Sequence, residues 1–128
     1  MTLTMTEPAL RTSPDRSLQL AIAAAREAED NRGTNVIVLD VREQTNIFDY
    51  FVLATGTSNR QLRAISDGID DVLEKQLRHP RLGREGYEES HWIALDYGSV
   101  VVHLFDDAKR DYYRIEELWG NAKRVEWK

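Results

Sequence analysis

The chain has 128 residues, of which 41% are hydrophobic and 30% charged, proportions that are typical of one globular domain. Its net charge of −5 argues against free nucleic acid as the main ligand, because phosphate binding needs a basic surface, and its lack of cysteine excludes disulfides and thiolate chemistry. No apolar run has membrane-spanning length and no targeting signal is evident, so we expect a cytoplasmic protein with no membrane partner.

The first half of the chain predicts a helix followed by two strands. Residues 1–14 show no periodicity, so we expect a disordered leader before one domain at residues 15–128. The helix should begin near Asp15 or Ser17 and end at a left-handed Gly33. Two β-branched runs joined by a short link then favour antiparallel strands buried on both faces. These runs are VIVLDV (36–41) and DYFVLATG (49–56).

A second helix has the clearest start in the sequence. Ser58 and Gln61 have the spacing of a capping box, in which two side chains accept hydrogen bonds from the first amides of a helix. An apolar stripe at helical spacing follows and ends before Pro80, which should stop the helix. The stripe consists of Leu62, Ile65, Ile69, Val72, Leu73 and Leu77.

The stretch WIALDYGSVVVHLF, residues 92–105, predicts a β-hairpin with two unlike faces. Gly98-Ser99 suits a tight type II′ turn, and pairing about it sets Leu95 opposite Val102. Because side chains alternate across a strand, one face is apolar and should lie under helices. That face carries Ile93, Leu95, Tyr97, Val100, Val102 and Leu104. The other, here called the mixed face, carries Trp92, Ala94, Asp96, Val101, His103 and Phe105.

The composition of the mixed face allows two interpretations. A mixture of aromatic, polar and charged side chains is expected of a surface that meets a partner. Alternatively, helices on both sides of the sheet bury Trp92 and Phe105, with His103 and Asp96 hydrogen-bonded inside. Residues 85–117 hold nine carboxylates against three basic side chains, which suits either a basic protein partner or a solvated acidic surface.

The C-terminal part predicts a third helix. Asp106 or Asp107 should cap it and Gly120 should end it. Its inward side chains should be Ala108, Tyr112, Ile115, Leu118 and Trp119. We expect Trp127 to fold back onto the body of the domain. The order of the elements predicts the α/β class, with helices packed on a mixed β-sheet.

Catalytic sites are poorly supported by the sequence. The turn at Gly56-Thr57-Ser58 could hold a phosphate at a helix start, but it has no P-loop lysine, and helix capping explains Thr57 and Ser58 more simply. His103 and Asp96 are fewer ligands than a mononuclear metal site needs, and we expect an orienting hydrogen bond between them instead. We predict no cofactor, no metal and no catalytic residue.

The hairpin, together with RDYYRIEELWGNAK after it, resembles the ribosomal silencing factor family, also called Iojap-like. DVREQTNIFDYFVLATGTSNRQLRAISDGI and GREGYEESHW resemble the same family in order and spacing, so the resemblance spans residues 17–120. It implies a small α/β domain with a nucleotidyltransferase-like fold that lacks transferase activity. It further implies a translational repressor that binds a basic β-barrel protein on the intersubunit face of the large ribosomal subunit and sterically blocks the small subunit.

The resemblance also implies which residues form the interface. Trp92 would be its buried anchor and Asp96 would pair with a basic side chain of the partner. The other implied contacts are Tyr97, Val101 and His103, with Leu95, Gly98 and Val100 shaping the hairpin. Ser99 stands where family members often have an acidic residue, which removes one expected charge contact. Two alternatives stay open: a nucleotidyltransferase-type enzyme that uses the Gly56-Thr57-Ser58 turn, and a homodimer formed through the mixed face away from the ribosome.

Overall fold

The computed structural model of the protein describes residues 13–128. The predicted leader at residues 1–14 therefore lies almost wholly outside the described residues. The helices are α1 (Pro14–Asp30), α2 (Asn59–Asp70), α3 (Asp107–Tyr113) and α4 (Ile115–Leu118), and a π-helical turn (Asp71–Gln76) continues α2. The strands are β1 (Thr34–Asp40), β2 (Tyr50–Thr55), β3 (Gly83–Glu85), β4 (Trp92–Asp96), β5 (Val100–Phe105) and β6 (Lys123–Arg124).

The strands form a six-stranded sheet in the order β3-β4-β5-β2-β1-β6. The central pair β2 and β5 is parallel, whereas the other neighbours pair in antiparallel fashion. The antiparallel pairing of β1 with β2 follows from their short link, as predicted. The α/β class and the mixed sheet are thus confirmed.

The main core lies between the sheet and the helices α1 and α2. Helix α1 begins earlier than predicted, because Ser13 accepts from the Arg16 amide at 3.2 Å and caps the helix. Ser17, one of the predicted caps, is instead buried. At the other end Arg32 takes the left-handed conformation (φ 69°) that was expected of Gly33. Gly33 is needed for space, since a Cβ there would lie 2.8 Å from the Ala28 carbonyl oxygen.

Helix α2 begins as the capping box predicts. Ser58 Oγ accepts from the Gln61 amide at 3.1 Å, while Gln61 Oε1 accepts from the Thr57 amide at 2.6 Å rather than from Ser58. The stripe of α2 and the π-helical turn packs against the sheet, with Leu62, Ile65, Ile69 and Leu73 fully buried. Helical structure ends at Gln76, ahead of the predicted proline stop.

The hairpin β4–β5 has the predicted register. Trp92 pairs with Phe105, Leu95 with Val102 and Asp96 with Val101. Gly98 has a φ of 93°, which fits the first central position of a type II′ turn. The six residues of the predicted apolar face are all buried under the helices.

The C-terminal part differs from the prediction of one continuous third helix. Asp106 caps α3 by accepting from the Lys109 amide at 2.8 Å, but Arg114 is left-handed (φ 49°) and separates α3 from α4. Tyr112 and Leu118, expected inside, are 76% and 74% exposed, and Ala108, also expected inside, is exposed as well. The remaining inward positions include Ile115, which is buried, and Trp119, whose ring centroid lies 5.0 Å from that of Phe51. Trp127 folds back as predicted and donates to the Val36 carbonyl at 3.2 Å.

Candidate protein-binding face

The mixed face is divided into a covered half and an open half. Over β1, β2 and β5 the C-terminal segment closes a second apolar cluster in which Phe105 is fully buried. The other buried members are Leu39, Val41, Phe51, Leu53, Val101 and Ile115. Val101, implied by the resemblance as a direct contact, is only 8% exposed and lies in this covered half instead. The interpretation that the protein buries this side of the sheet itself is therefore right for this half.

The open half lies over β3 and β4. Trp92 and His103 are partly exposed and Asp96 is exposed. Because directly paired residues share a face, Gly83 opposite Asp96 and Glu85 opposite Ala94 extend the same surface to the sheet edge. A Cβ built on Gly83 would meet no heavy atom of the described chain within 4 Å, apart from its chain neighbours. We call this surface the open face: Gly83, Glu85, Trp92, Ala94, Asp96 and His103.

Trp92 and His103 form the aromatic part of the open face. Trp92 Nε1 donates to His103 Nδ1 at 3.2 Å, and the Trp92 ring lies 5.2 Å from that of Phe105, between centroids. Since the indole can only donate, His103 Nδ1 must accept, and the proton of the neutral imidazole sits on Nε2. Desolvation lowers the pKa of His103 to about 4, so the ring is uncharged at neutral pH and offers a neutral N–H donor.

Asp96 holds the hairpin turn and presents a charge. Its Oδ1 accepts from the Gly98 amide at 2.8 Å, which fixes the side chain beside the turn. The expected hydrogen bond between His103 and Asp96 does not form, because His103 accepts from Trp92 and Asp96 turns toward Gly98. The exposed carboxylate therefore remains available to a cation on a partner.

Three of the residues implied as interface or hairpin-shaping lie on the helix side of the sheet. Leu95 and Val100 are fully buried in the main core, as hairpin-shaping residues should be. Tyr97 is only 1% exposed, and its hydroxyl donates to Asp70. Burial, together with that hydrogen bond, raises the pKa of Tyr97. The direct partner contact that the resemblance implies for Tyr97 is therefore corrected, because strand alternation points its side chain to the helix side of the sheet, away from the mixed face.

The tip of the hairpin is fixed by a hydrogen-bond chain. Ser17 Oγ donates to Asp49 Oδ2 at 2.8 Å and lies 2.6 Å from Ser99 Oγ. Because Ser17 has one hydroxyl hydrogen and a carboxylate can only accept, Ser99 is the donor of the second bond. An acidic residue at position 99 would face Asp49 across this chain. Serine at position 99 carries no surface charge. Its hydroxyl instead links the hairpin tip to α1 and, through Ser17, to Asp49 just before β2.

The Gly56-Thr57-Ser58 turn has little capacity left for a phosphate. The Gly56 amide donates to the Phe105 carbonyl at 2.9 Å, and the Thr57 amide donates to Gln61 Oε1. A Cβ on Gly56 would lie 2.7 Å from Leu62 Cδ2, so this glycine permits close packing between the strand and α2. The turn serves as a helix start.

The described residues show no metal-binding cluster and no membrane-spanning helix. Within residues 13–128 no group of three or more His, Cys, Asp or Glu side chains converges as a metal site would require. No helix in that range is long and apolar enough to cross a membrane.

Two features of the face were missed from the sequence. Glu85 lies on it only because β3 pairs with β4 in this register. Tyr113 packs on Trp92 with ring centroids 4.5 Å apart, although the prediction of a continuous third helix did not include Tyr113 among the inward side chains. The adjacent pair Tyr112-Tyr113 was the available signal, because successive helical side chains point about 100° apart, so one of two neighbouring rings is turned away from the centre of an inward stripe.

Comparison with known proteins agrees with this architecture. Residues 14–128 match the family model described as ribosomal silencing factor during starvation. A ribosomal silencing factor from Chromobacterium violaceum is 39% identical over 105 residues, 82% of this chain and 85% of that protein. The chloroplastic Iojap protein of Zea mays is 36% identical over 109 residues, 85% of this chain and 47% of that protein. A crystal structure of a Chromobacterium violaceum protein shares 39% identity and a TM-score of 0.76, covering 80% of this chain and 84% of the other. The chain therefore belongs to the ribosomal silencing factor family.

Proposed function

We propose that this protein represses translation by docking its open face on the large ribosomal subunit. Family membership supports a translation-regulating role that involves the ribosome. The observation that supports the open face as the docking site is the accessible surface left at Trp92, Asp96 and His103. An aromatic ring beside a neutral donor and an exposed carboxylate is the mixture of groups found in protein interfaces.

The partner that this chemistry fits is a basic protein. Asp96 and Glu85 are exposed carboxylates on neighbouring strands, and both lie on the open face. Carboxylates arranged around an aromatic centre attract a surface with Lys or Arg side chains and fix its orientation. A basic β-barrel ribosomal protein on the intersubunit face of the large subunit is the partner we propose.

Steric occlusion is the proposed mechanism. The face is held rigidly from behind, by the Tyr97–Asp70 hydrogen bond on the helix side and by the Ser99–Ser17–Asp49 chain at the hairpin tip. A rigid face suits docking without rearrangement. A domain of 14.8 kDa seated on the joining surface need only occupy the space that the small subunit requires. Such a protein acts where cytoplasmic ribosomes assemble.

We propose further that the protein is not an enzyme and needs no cofactor. The amides of Gly56 and Thr57 are already bonded within the fold, which argues against nucleotide binding at that turn. Thermal unfolding with ATP, CTP or GTP and magnesium tests this directly, because a ligand of the folded state raises the melting temperature. We expect no shift; a clear shift would favour the nucleotidyltransferase alternative.

Sedimentation with isolated ribosomal subunits tests the proposed function. The purified protein is mixed separately with large and with small subunits and centrifuged through a sucrose cushion. We expect saturable co-sedimentation with the large subunit and background levels with the small one. Binding to the small subunit, or to neither, would overturn the proposal.

A further inference from the structure

We propose that the exposed tyrosines of α3 extend the open face, so that Tyr112 and Tyr113 contact the same basic protein of the large subunit. This inference rests on the proposed function and enlarges its interface beyond the hairpin. The sequence and the resemblance point only to residues 92–103, whereas the packing of α3 on Trp92 places a second element beside them.

A continuous row of aromatic rings joins the core to the surface of α3. Trp92 lies on Phe105 with a centroid distance of 5.2 Å and on Tyr113 at 4.5 Å. Tyr113 meets Tyr112 edge to face at 4.9 Å and 90°. Exposure rises along this row from the fully buried Phe105 through Tyr113 at 40% to Tyr112 at 76%. The row therefore ends in two large rings that the described chain leaves in solvent.

The orientation of α3 is imposed by a buried arginine. Arg110 Nη1 donates to the Asn35 carbonyl at 2.6 Å and to Thr55 Oγ1 at 2.8 Å, and Nη2 pairs with Glu116 at 3.0 Å. With Arg110 pointing inward, a residue two positions later lies on the opposite side of the helix, which is where Tyr112 stands. The left-handed Arg114 then ends the helix before the apolar stripe can turn inward again. The fold thus exposes Tyr112 by a specific set of bonds.

The charges around the two tyrosines indicate which kind of partner surface fits this patch. Asp107, Asp111 and Glu117 are exposed on the same segment, where Arg114 pairs with Asp111 at 4.0 Å and with Glu117 at 3.0 Å. With Asp96 and Glu85 across the open face, the carboxylates around the tyrosines still outnumber the basic groups. An apolar centre with an acidic rim complements a basic protein surface. A symmetric pairing of two copies of this chain through the same patch would set acidic rim against acidic rim, which disfavours a second copy as the occupant.

The test compares the affinity of three variants for isolated large subunits. Tyr112→Ala removes a ring that is mostly exposed, so folding should be unaffected, and Tyr112→Phe keeps the ring as the conservative variant. Ile47→Ala is the matched control, because Ile47 is 73% exposed and lies in the β1–β2 connection, at the end of the sheet opposite α3. We expect Tyr112→Ala to weaken binding at least about fivefold, and the other two to stay within about twofold.

The outcomes separate this inference from the proposed function. If the wild-type protein does not bind large subunits, both fail. If it binds and Tyr112→Ala binds equally well, or if Ile47→Ala weakens binding as much, only the extension to α3 is overturned. Light scattering over a concentration series tests the remaining alternative, in which a second copy of this chain occupies the patch. A dimer that Tyr112→Ala abolishes without loss of large-subunit affinity would assign the patch to a second copy instead.

Discussion

Asp96 combines a structural contact with an exposed charge, and the two can be separated by substitution. Its Oδ1 accepts from the Gly98 amide at 2.8 Å. Asparagine keeps an oxygen for that amide and removes the charge, whereas lysine removes the acceptor and reverses the charge. The carboxylate is exposed, so its contribution to a complex comes mainly from long-range attraction rather than from a buried pair.

We predict that Asp96→Asn leaves the melting temperature nearly unchanged and weakens binding to large subunits by about 1 kcal/mol, with a larger loss for Asp96→Lys. The affinities are measured by titration at low and at physiological salt. Because the attraction is screened by ions, the difference from the wild-type protein should shrink as salt rises. Equal affinities for all three proteins at low salt would remove Asp96 from the interface.

Protonation of His103 makes the free energy of unfolding depend on pH, and this contribution can be measured separately. Desolvation lowers its pKa from 6.5 to about 4, so the unfolded chain takes up this proton before the folded protein does. The neutral ring therefore stabilises the fold above pH 6.5, and that stability is lost as the pH falls toward 4. We predict that the free energy of unfolding decreases over this interval by on the order of 2 kcal/mol because of His103 alone.

His103→Gln provides the comparison for this pH dependence. Glutamine can still accept from Trp92 Nε1 through its side-chain oxygen but does not titrate. Urea unfolding of both proteins between pH 4 and pH 7 should show a flatter profile for the variant, since His79 and His91 are common to both. Parallel profiles would show that the ring is hydrated in the folded protein.

Among the secondary-structure elements, the hairpin turn and the edge strand β3 each contain a glycine, and only the one in the turn has a left-handed conformation. Gly98 has a φ of 93°, a conformation that costs any side chain strain, although a Cβ there would meet only Leu82 Cδ1 at an ordinary 3.6 Å. Gly83 stands opposite Asp96 on the neighbouring strand and has open space beside it.

We predict that Gly98→Ala destabilises the protein by about 1–2 kcal/mol for this conformational reason alone. Gly83→Ala, the matched control, should change the unfolding free energy by less than about 0.5 kcal/mol. Both values come from denaturant unfolding at one pH. Equal losses in the two variants would mean that the turn does not require its left-handed glycine.

Elements differ in how well the sequence predicts them. The hairpin was predictable because strand alternation and the turn dipeptide together specify its register, so the positions of Trp92, Asp96 and His103 on one face follow directly. Alternation also placed Tyr97 on the buried side, and only the resemblance suggested a direct contact there. The third helix was mispredicted because the spacing of apolar residues cannot show that a charged side chain is buried. Arg110 takes the inward position, and Tyr112 is therefore turned outward.

On the scale of the whole molecule, the sheet is covered by helices on one side and only partly covered on the other. The covered half of the mixed face supplies folding stability through Phe105 and Ile115, while the open half is surface that residues 13–128, the described part of the chain, leave uncovered. Trp92 lies on the boundary, packed on Phe105 and still partly exposed. A partner that covers the open half would complete the burial that the chain begins.

A subunit-joining assay measures the consequence of this arrangement most directly. Large subunits are incubated with the wild-type protein or with Asp96→Lys, small subunits are added, and the formation of joined ribosomes is followed by light scattering. We predict that the wild-type protein suppresses joining in proportion to the large subunits it occupies and that Asp96→Lys suppresses it much less at equal concentration. Undiminished joining of large subunits saturated with the wild-type protein would contradict steric occlusion by the docked domain.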